Sequence, residues 1–163
     1  MHLLRTPGET VAGLRRWLYR DGRPNLVGRL MNRADAAIYG SGLVLPNRLA
    51  VLAVPGRRTG RTVTMPVAIA DHEGERYLVS MLGKDANWVR NVRAASGHAE
   101  LRHGRHERVR LEEVEPGARA PILRRYMAVA PGARAHFPLD RHAPLGEFER
   151  IAADFPIFHI VAE

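Results

Sequence analysis

The chain contains no cysteine. That absence excludes disulfide frameworks, thiolate zinc sites and cysteine nucleophiles together, and it suits a reducing compartment. Lysine is almost missing too: of 25 basic residues only Lys84 is lysine, and the rest are arginine. Aromatic residues make up 6%, too few to supply the stacking platforms by which a small barrel holds single-stranded nucleic acid. No uninterrupted apolar run approaches the roughly 18–20 residues that a membrane span requires. Met1–Thr10 also lacks the basic-then-apolar layout of a signal peptide. These absences set the expectation of a cytoplasmic protein with no integral membrane contact and no nucleic-acid partner. Peripheral membrane contact stays open.

What is present suits one ordinary domain. The 163 residues are 45% apolar and 26% charged, enough for a core that needs no covalent staple. The net charge of +8 attracts polyanions or a phosphorylated ligand. Arginine-for-lysine usage, with abundant alanine, glycine and proline, equally fits codon bias, so charge alone selects no partner.

Hydrophobic spacing divides the chain. Val11, Leu14 and Leu18, with Trp17 beside them, and then Leu26, Val27, Leu30, Met31, Ala34 and Ile38, fall at helical intervals on either side of Gly22 and Pro24. The period then shortens. Leu49–Val54 is a continuous apolar run, the pattern of a strand covered on both faces. Val63, Met65, Val67 and Ile69 alternate with Thr64, Pro66, Ala68 and Ala70. Asp71-His72-Glu73-Gly74 reads as a hairpin turn, Tyr77–Leu82 as the next strand, and Ala86–Ala95 as a short helix with Asp85 as a candidate cap. Two further strands, His98–His103 and His106–Val114, flank Gly104. Pro116 is placed to open a helix carrying Ile122, Leu123, Tyr126 and Met127. A loop follows around Pro131 and Pro138, then a short helix with Leu145, Phe148 and Ile151, and a final strand over Ile157–Val161.

Strands in hairpin order among short helices predict one α+β domain spanning 1–163. A helical segment occupies 1–42, and an antiparallel, barrel-like core occupies 43–163. Pro66 inside a strand-like run marks an edge, a bulge, or a place where something other than a strand meets the backbone.

Two segments concentrate chemistry. In Gly56-Arg57-Arg58-Thr59-Gly60-Arg61-Thr62, glycines permit a sharp turn around three guanidiniums and two hydroxyls, donors suited to phosphate or carboxylate. The terminal Gly-Lys-Ser/Thr of a phosphate-binding Walker loop is missing. In Leu82-Gly83-Lys84-Asp85-Ala86-Asn87-Trp88-Val89-Arg90-Asn91, Trp88 and Asn91 share a helical face. By spacing alone, Trp88 reads as a core residue and Asn91 as a surface one. His98, His103 and His106 flank a hairpin without a carboxylate pattern, so no metal site is expected.

Together, a strand, G-R-R-T-G-R, V-T-M-P-V, a hairpin and N-W-V-R-N-V-R resemble the deazaflavin-dependent nitroreductase and quinone reductase family over Leu49–Glu113, with weaker support from Phe155–Val161. The resemblance implies a split β-barrel related to flavin-mononucleotide-binding proteins. It also implies the 8-hydroxy-5-deazaflavin coenzyme F-420, with flavin mononucleotide (FMN) as the alternative. By position, Arg57, Arg58 and Thr59, with Arg61 beside them, match residues that hold the phosphate and anionic tail. Val63, Thr64, Met65, Pro66, Val67 and Ala68 match the strand lining the ring, and Pro66 leaves a gap in the ladder where a flat ring can lie. Ser80, Met81, Leu82 and Gly83 match the next strand end. Lys84 approximates a cofactor-binding lysine, and Asn87, Trp88, Val89, Arg90 and Asn91 match the turn that closes the pocket.

Nitro-activating members carry a tyrosine-rich loop where this chain has Ala130–Phe137 without tyrosine, so their substrate contacts do not transfer. Tyr126, His136 and Trp88 are the candidates for the acceptor side. The resemblance further implies a small conjugated, quinone-like or nitro acceptor and a homodimer. A non-catalytic carrier of the same cofactor and a nucleic-acid-binding barrel are the competing readings.

Overall fold

The computed structural model describes residues 48–163. The helices read over 1–42 lie outside the described residues. Among the described residues, six strands and three α-helices follow in order. They are β1 (Leu49–Pro55), β2 (Thr62–His72), β3 (Glu75–Val79), α1 (Asn87–Ala94), β4 (His98–Arg102), β5 (His106–Glu113), α2 (Ala120–Val129), α3 (Leu145–Ile151) and β6 (Ile157–Ala162).

All pairings are antiparallel, and the order β1-β2-β3-β6-β5-β4 closes on itself through β1 and β4. Closure follows from hairpin connectivity: short turns join neighbours, and β6 bridges β3 and β5. Alternation sorts the side chains into two apolar layers. Ala50, Leu52, Val54, Ile69, Leu78, Leu101, Val109, Leu111, Phe158 and Ile160 fill the barrel, and Trp88, Val89 and Val92 of α1 join them. Ala70, Val79 and Ile157 face outward and are covered by Ile122, Leu123, Tyr126 and Met127 of α2, Phe148 of α3 and Phe137. The expectation that β1 is covered on both faces holds, since Ala50–Val54 are all buried.

Several expected boundaries move. β3 ends at Val79, because the Ser80 hydroxyl donates to the Gly83 carbonyl (2.7 Å) and Gly83, at φ +88°, closes a turn instead. Asp85 does not cap α1; Ala86 holds that position with no side-chain bond, and Asp85 pairs with Arg90 at 3.1 Å. Pro116 opens a separate 3-10 turn, Pro116–Ala118, and it is Pro121 that lies in the first turn of α2. The stretch after Pro131 is a 3-10 segment, Pro131–His136, held by the buried Ala133. The β2–β3 hairpin turns on Glu73 and Gly74, both at positive φ (51° and 80°), the backbone of a two-residue type I′ turn.

Arginine pairs tie the layers together. Arg93 of α1 makes two hydrogen bonds with Glu113 of β5 (2.7 and 3.0 Å), and Arg76 makes two with Glu107 (2.5 and 3.0 Å). Arg119, 4% exposed, donates to the carbonyls of Val114 (2.8 Å), Ala152 (3.3 Å) and Ala153 (3.4 Å) and pairs with Glu113 at 3.3 Å. It thereby anchors the start of α2 to the turn before β6. At the far end of β2, Asp71 accepts from Arg48 and from Arg125 of α2 (3.0 Å).

Gly74 and Gly97 both have positive φ, but a Cβ at Gly74 meets nothing within 4 Å, whereas at Gly97 it meets the Leu111 carbonyl oxygen at 2.5 Å. Denaturant unfolding is expected to show Gly74→Ala costing about 1 kcal/mol and Gly97→Ala at least about 3 kcal/mol. The Arg48 and Arg125 hydrogen bonds hold the Asp71 carboxyl down to about 2, from an ordinary 3.8. A carboxylate depressed on folding contributes stability that is complete above its unfolded value and is lost as pH falls through the folded one. Thermal melts between pH 4 and pH 2 are therefore expected to fall less steeply for Asp71→Asn than for the unchanged protein.

Candidate active site

The site begins where two strands part. Ile69 donates its N–H to the Arg48 carbonyl, so the odd-numbered residues of β2 direct their backbone groups toward β1, and Thr64, Pro66 and Ala68 direct theirs to the other side. On that other side β3 pairs only with Ile69–His72. Beyond the Ile69–Leu78 rung, β2 continues alongside β1 as far as Thr62. The chain after Val79 instead follows β6, with Ser80 N–H donating to the Pro156 carbonyl at 2.9 Å. Among the described residues no strand pairs with this side of Thr62–Ala68. Pro66 therefore sits at an open edge, where its missing N–H deprives no neighbour.

This edge lies along the seam between the two apolar layers. Met65, Val67 and Leu82 pack against the barrel core, and Ala68 and Met81 against the outer layer. Thr64–Ala68 and Met81–Gly83 are all half-buried. Val63, 45% exposed, is the large apolar side chain most open to solvent among the described residues. At the strand rise of ~3.4 Å per residue, the edge from Ala68 to Thr62 runs about 20 Å.

At its far end stands the arginine turn. Gly56 N–H donates to the Arg61 carbonyl (2.8 Å), Gly60 N–H to the Gly56 carbonyl (2.8 Å), and Arg61 N–H to the Thr59 hydroxyl (3.3 Å). Gly60 takes φ +71°, the left-handed geometry that makes glycine suitable there. Asn91 of α1 meets this turn directly. Its Oδ1 accepts from the Arg57 backbone N–H (3.2 Å) and from Arg57 Nη1 (2.9 Å), while Arg57 Nη2 reaches Asn87 Oδ1 at 3.4 Å. The two segments singled out in the sequence are thus in contact. Asn91 is 4% exposed, so the expectation of a surface residue is corrected: its amide is buried because it bonds a loop distant in sequence.

The cations here differ in engagement. Arg90 is paired with Asp85. Among the described residues Arg58, Arg61 and Lys84 form no ion pair, and all three are exposed. Cations with no ion-pair partner among the described residues therefore stand at the end of a half-buried apolar edge.

The acceptor-side candidates are not gathered in one place. Trp88 is 7% exposed within the barrel core, with its ring 5.5 Å from Phe158. Val89 is fully buried beside it. Tyr126 lies in the outer layer, its ring edge-on to Phe137 at 6.2 Å, and burial pushes its phenol well above the usual tyrosine range. His136 is half-buried at the end of the neighbouring 3-10 segment. Ser80 is buried with its hydroxyl donated to Gly83. His98 pairs with Glu163 and His106 with Glu100. Sequence reasoning did not find Arg119, since nothing local distinguishes one buried arginine in a chain so rich in them.

Known proteins bear on this arrangement in three ways. No curated protein matches the chain. Among solved structures, it is similar to a protein of unknown function from Agrobacterium tumefaciens strain C58 (TM-score 0.54, 15% identity, covering 80% of this chain and 54% of that one). It is likewise similar to a conserved hypothetical protein from Mycobacterium tuberculosis (TM-score 0.53, 16% identity, covering 80% and 79%). At such identities the likeness is one of fold, and it agrees with the antiparallel barrel described above. The sequence model of the F420H(2)-dependent quinone reductase family matches residues 28–137. That span takes in the arginine turn, the open edge of β2, all of α1 and the 3-10 segment before Phe137, and the chain belongs to this family of deazaflavin-dependent oxidoreductases.

Proposed function

We propose that the cleft along the open edge of β2 holds reduced coenzyme F-420, with its anionic tail at the arginine turn, and that the protein serves transfer of a hydride to a small conjugated, quinone-like or nitro acceptor. The observation that carries this reading is the contact between Arg57 and Asn91. It brings the cationic turn to the mouth of a half-buried backbone edge in a member of a deazaflavin-dependent family.

The residues present fit such a group. Outward-directed carbonyls of Thr64 and Pro66, with the N–H group of Thr64, offer a flat heterocycle both acceptors and a donor, and no strand is paired with them on that side among the described residues. Val67 and Leu82 on one side and Ala68 and Met81 on the other supply apolar walls that exclude water from a hydride donor. Arg58, Arg61, Lys84 and the Thr59 hydroxyl suit phosphate and carboxylate. When bound, the deazaflavin supplies the hydride; the protein's part is position, dryness and charge. The family resemblance brings a homodimer into the same proposal, and sedimentation of the purified protein tests it.

Fluorescence titration of the purified protein with reduced and oxidised F-420 and with FMN tests the reading. Saturable F-420 binding is expected, weakened at least about tenfold when Arg57 and Arg58 are both changed to alanine. Tight FMN binding with no F-420 binding at tens of micromolar overturns the deazaflavin assignment. F-420 binding without its oxidation by quinones, enones or nitroaromatics favours a carrier instead.

A further inference from the structure

The family resemblance treats the arginines of the turn as equivalent anion ligands, but their surroundings separate them. Asn91 Oδ1 takes both the backbone N–H and Nη1 of Arg57, and Asn87 Oδ1 takes Nη2 at 3.4 Å. Two faces of this guanidinium are thus committed to neutral amides on α1. Arg58 and Arg61, in the same turn, are exposed and form no ion pair among the described residues, and neither does Lys84, three residues before Asn87. Asn91 is itself well anchored: it is buried on a helix whose Trp88, Val89 and Val92 are set in the barrel core and whose Arg93 is bound by Glu113.

We propose that Arg57 and Asn91 are a positioning pair: Asn91 fixes the arginine turn to α1 through Arg57, and the anion is held by Arg58, Arg61 and Lys84. This deepens the cofactor reading above and rests on it for the identity of the anion, but the tether belongs to the protein alone. The physical case is one of ordering cost. A glycine-flanked turn of exposed arginines would lose conformational freedom on binding. A turn already bonded to a helix in the core presents Arg58 and Arg61 at a set distance from the ring-lining edge. A buried amide oxygen suits this task, because it takes the backbone N–H and Nη1 of Arg57 at once.

Two measurements test the pair, and the first needs no cofactor. In the free protein, hydrogen exchange at the Arg57, Gly56 and Gly60 amides is expected to speed at least about tenfold in Asn91→Ala. It is expected to return toward the original rate in Asn91→Asp, which keeps an acceptor oxygen facing Arg57. Unchanged exchange in Asn91→Ala overturns the tether. The second measurement is F-420 affinity by fluorescence. Asn91→Ala is expected to weaken binding about tenfold, and adding Arg57→Ala to it is expected to cost no more than about a further twofold, because one linkage is broken once. Arg58→Ala is expected to add its full effect in either background.

Additive losses from Asn91→Ala and Arg57→Ala identify Arg57 as a direct ligand and overturn the division of roles. Should Asn91→Ala fail to fold, Asn91→Asp decides alone. Its carboxylate keeps the tether and adds a negative charge beside Arg57, so retained affinity supports the pair and a tenfold loss overturns it. Accelerated exchange in Asn91→Ala, with no F-420 binding by the unchanged protein, leaves the tether standing and removes the cofactor reading.

Discussion

The Ile69–Leu78 rung, where β2 and β3 cease to pair, is the constraint from which the rest of the site derives. Every strand of an antiparallel barrel needs partners on both sides or a reason to lack one. β2 runs from Thr62 to His72 while β3 spans only Glu75–Val79, so among the described residues the barrel closes around one end of β2 and leaves the other end open on one side. The Ser80–Gly83 turn carries the chain away toward β6 at that point. Because the two apolar layers meet along the same line, the exposed backbone is flanked by hydrophobic side chains. A polar edge between apolar walls is the environment a flat heterocycle needs, and here it arises from a difference in strand length.

Arginine performs several distinct tasks in this protein, which is why net charge was a poor guide to partners. Arg76, Arg93, Arg119 and Arg125 are bound to carboxylates or carbonyls that link separate elements. Arg119 is buried deeply enough that desolvation lowers its basicity, yet Glu113 and three carbonyls satisfy it, as a buried charge requires. Others, Arg58 and Arg61 at the turn before β2 among them, form no ion pair among the described residues. What an arginine does here is therefore set by its neighbours and not by the net charge of the chain.

Much of the fold was legible in the residues. Period-two alternation in Val63–Ala70, the glycines of the two hairpins and the apolar run Ala50–Val54 each placed a strand, because strand side chains alternate with little regard to distant context. Ends were less legible. Tyr77–Leu82 reads as one apolar run, and only the Ser80 hydroxyl bonding back to Gly83 explains why the strand stops at Val79. Asp85 has the chemistry of a cap, but Arg90 takes its carboxylate. Pro116 was chosen over Pro121 for the helix start, since both satisfy the same first-turn rule and sequence cannot rank them.

The candidate site divides along the same line. Sequence alone determined which residue types were available: a glycine-flanked run of guanidiniums, a proline within a strand, and a tryptophan and an asparagine one helical turn apart. Those follow from local chemistry, and their order along the chain carried the family resemblance. Tertiary structure alone decided their roles. It buried Asn91 against a loop more than thirty residues away, sent Trp88 into the barrel core, and kept Tyr126 on the other side of the sheet. The reason is physical: a side chain's availability depends on which groups from distant elements satisfy it, and closure of the barrel, with no marker in any short stretch of sequence, fixes those neighbours.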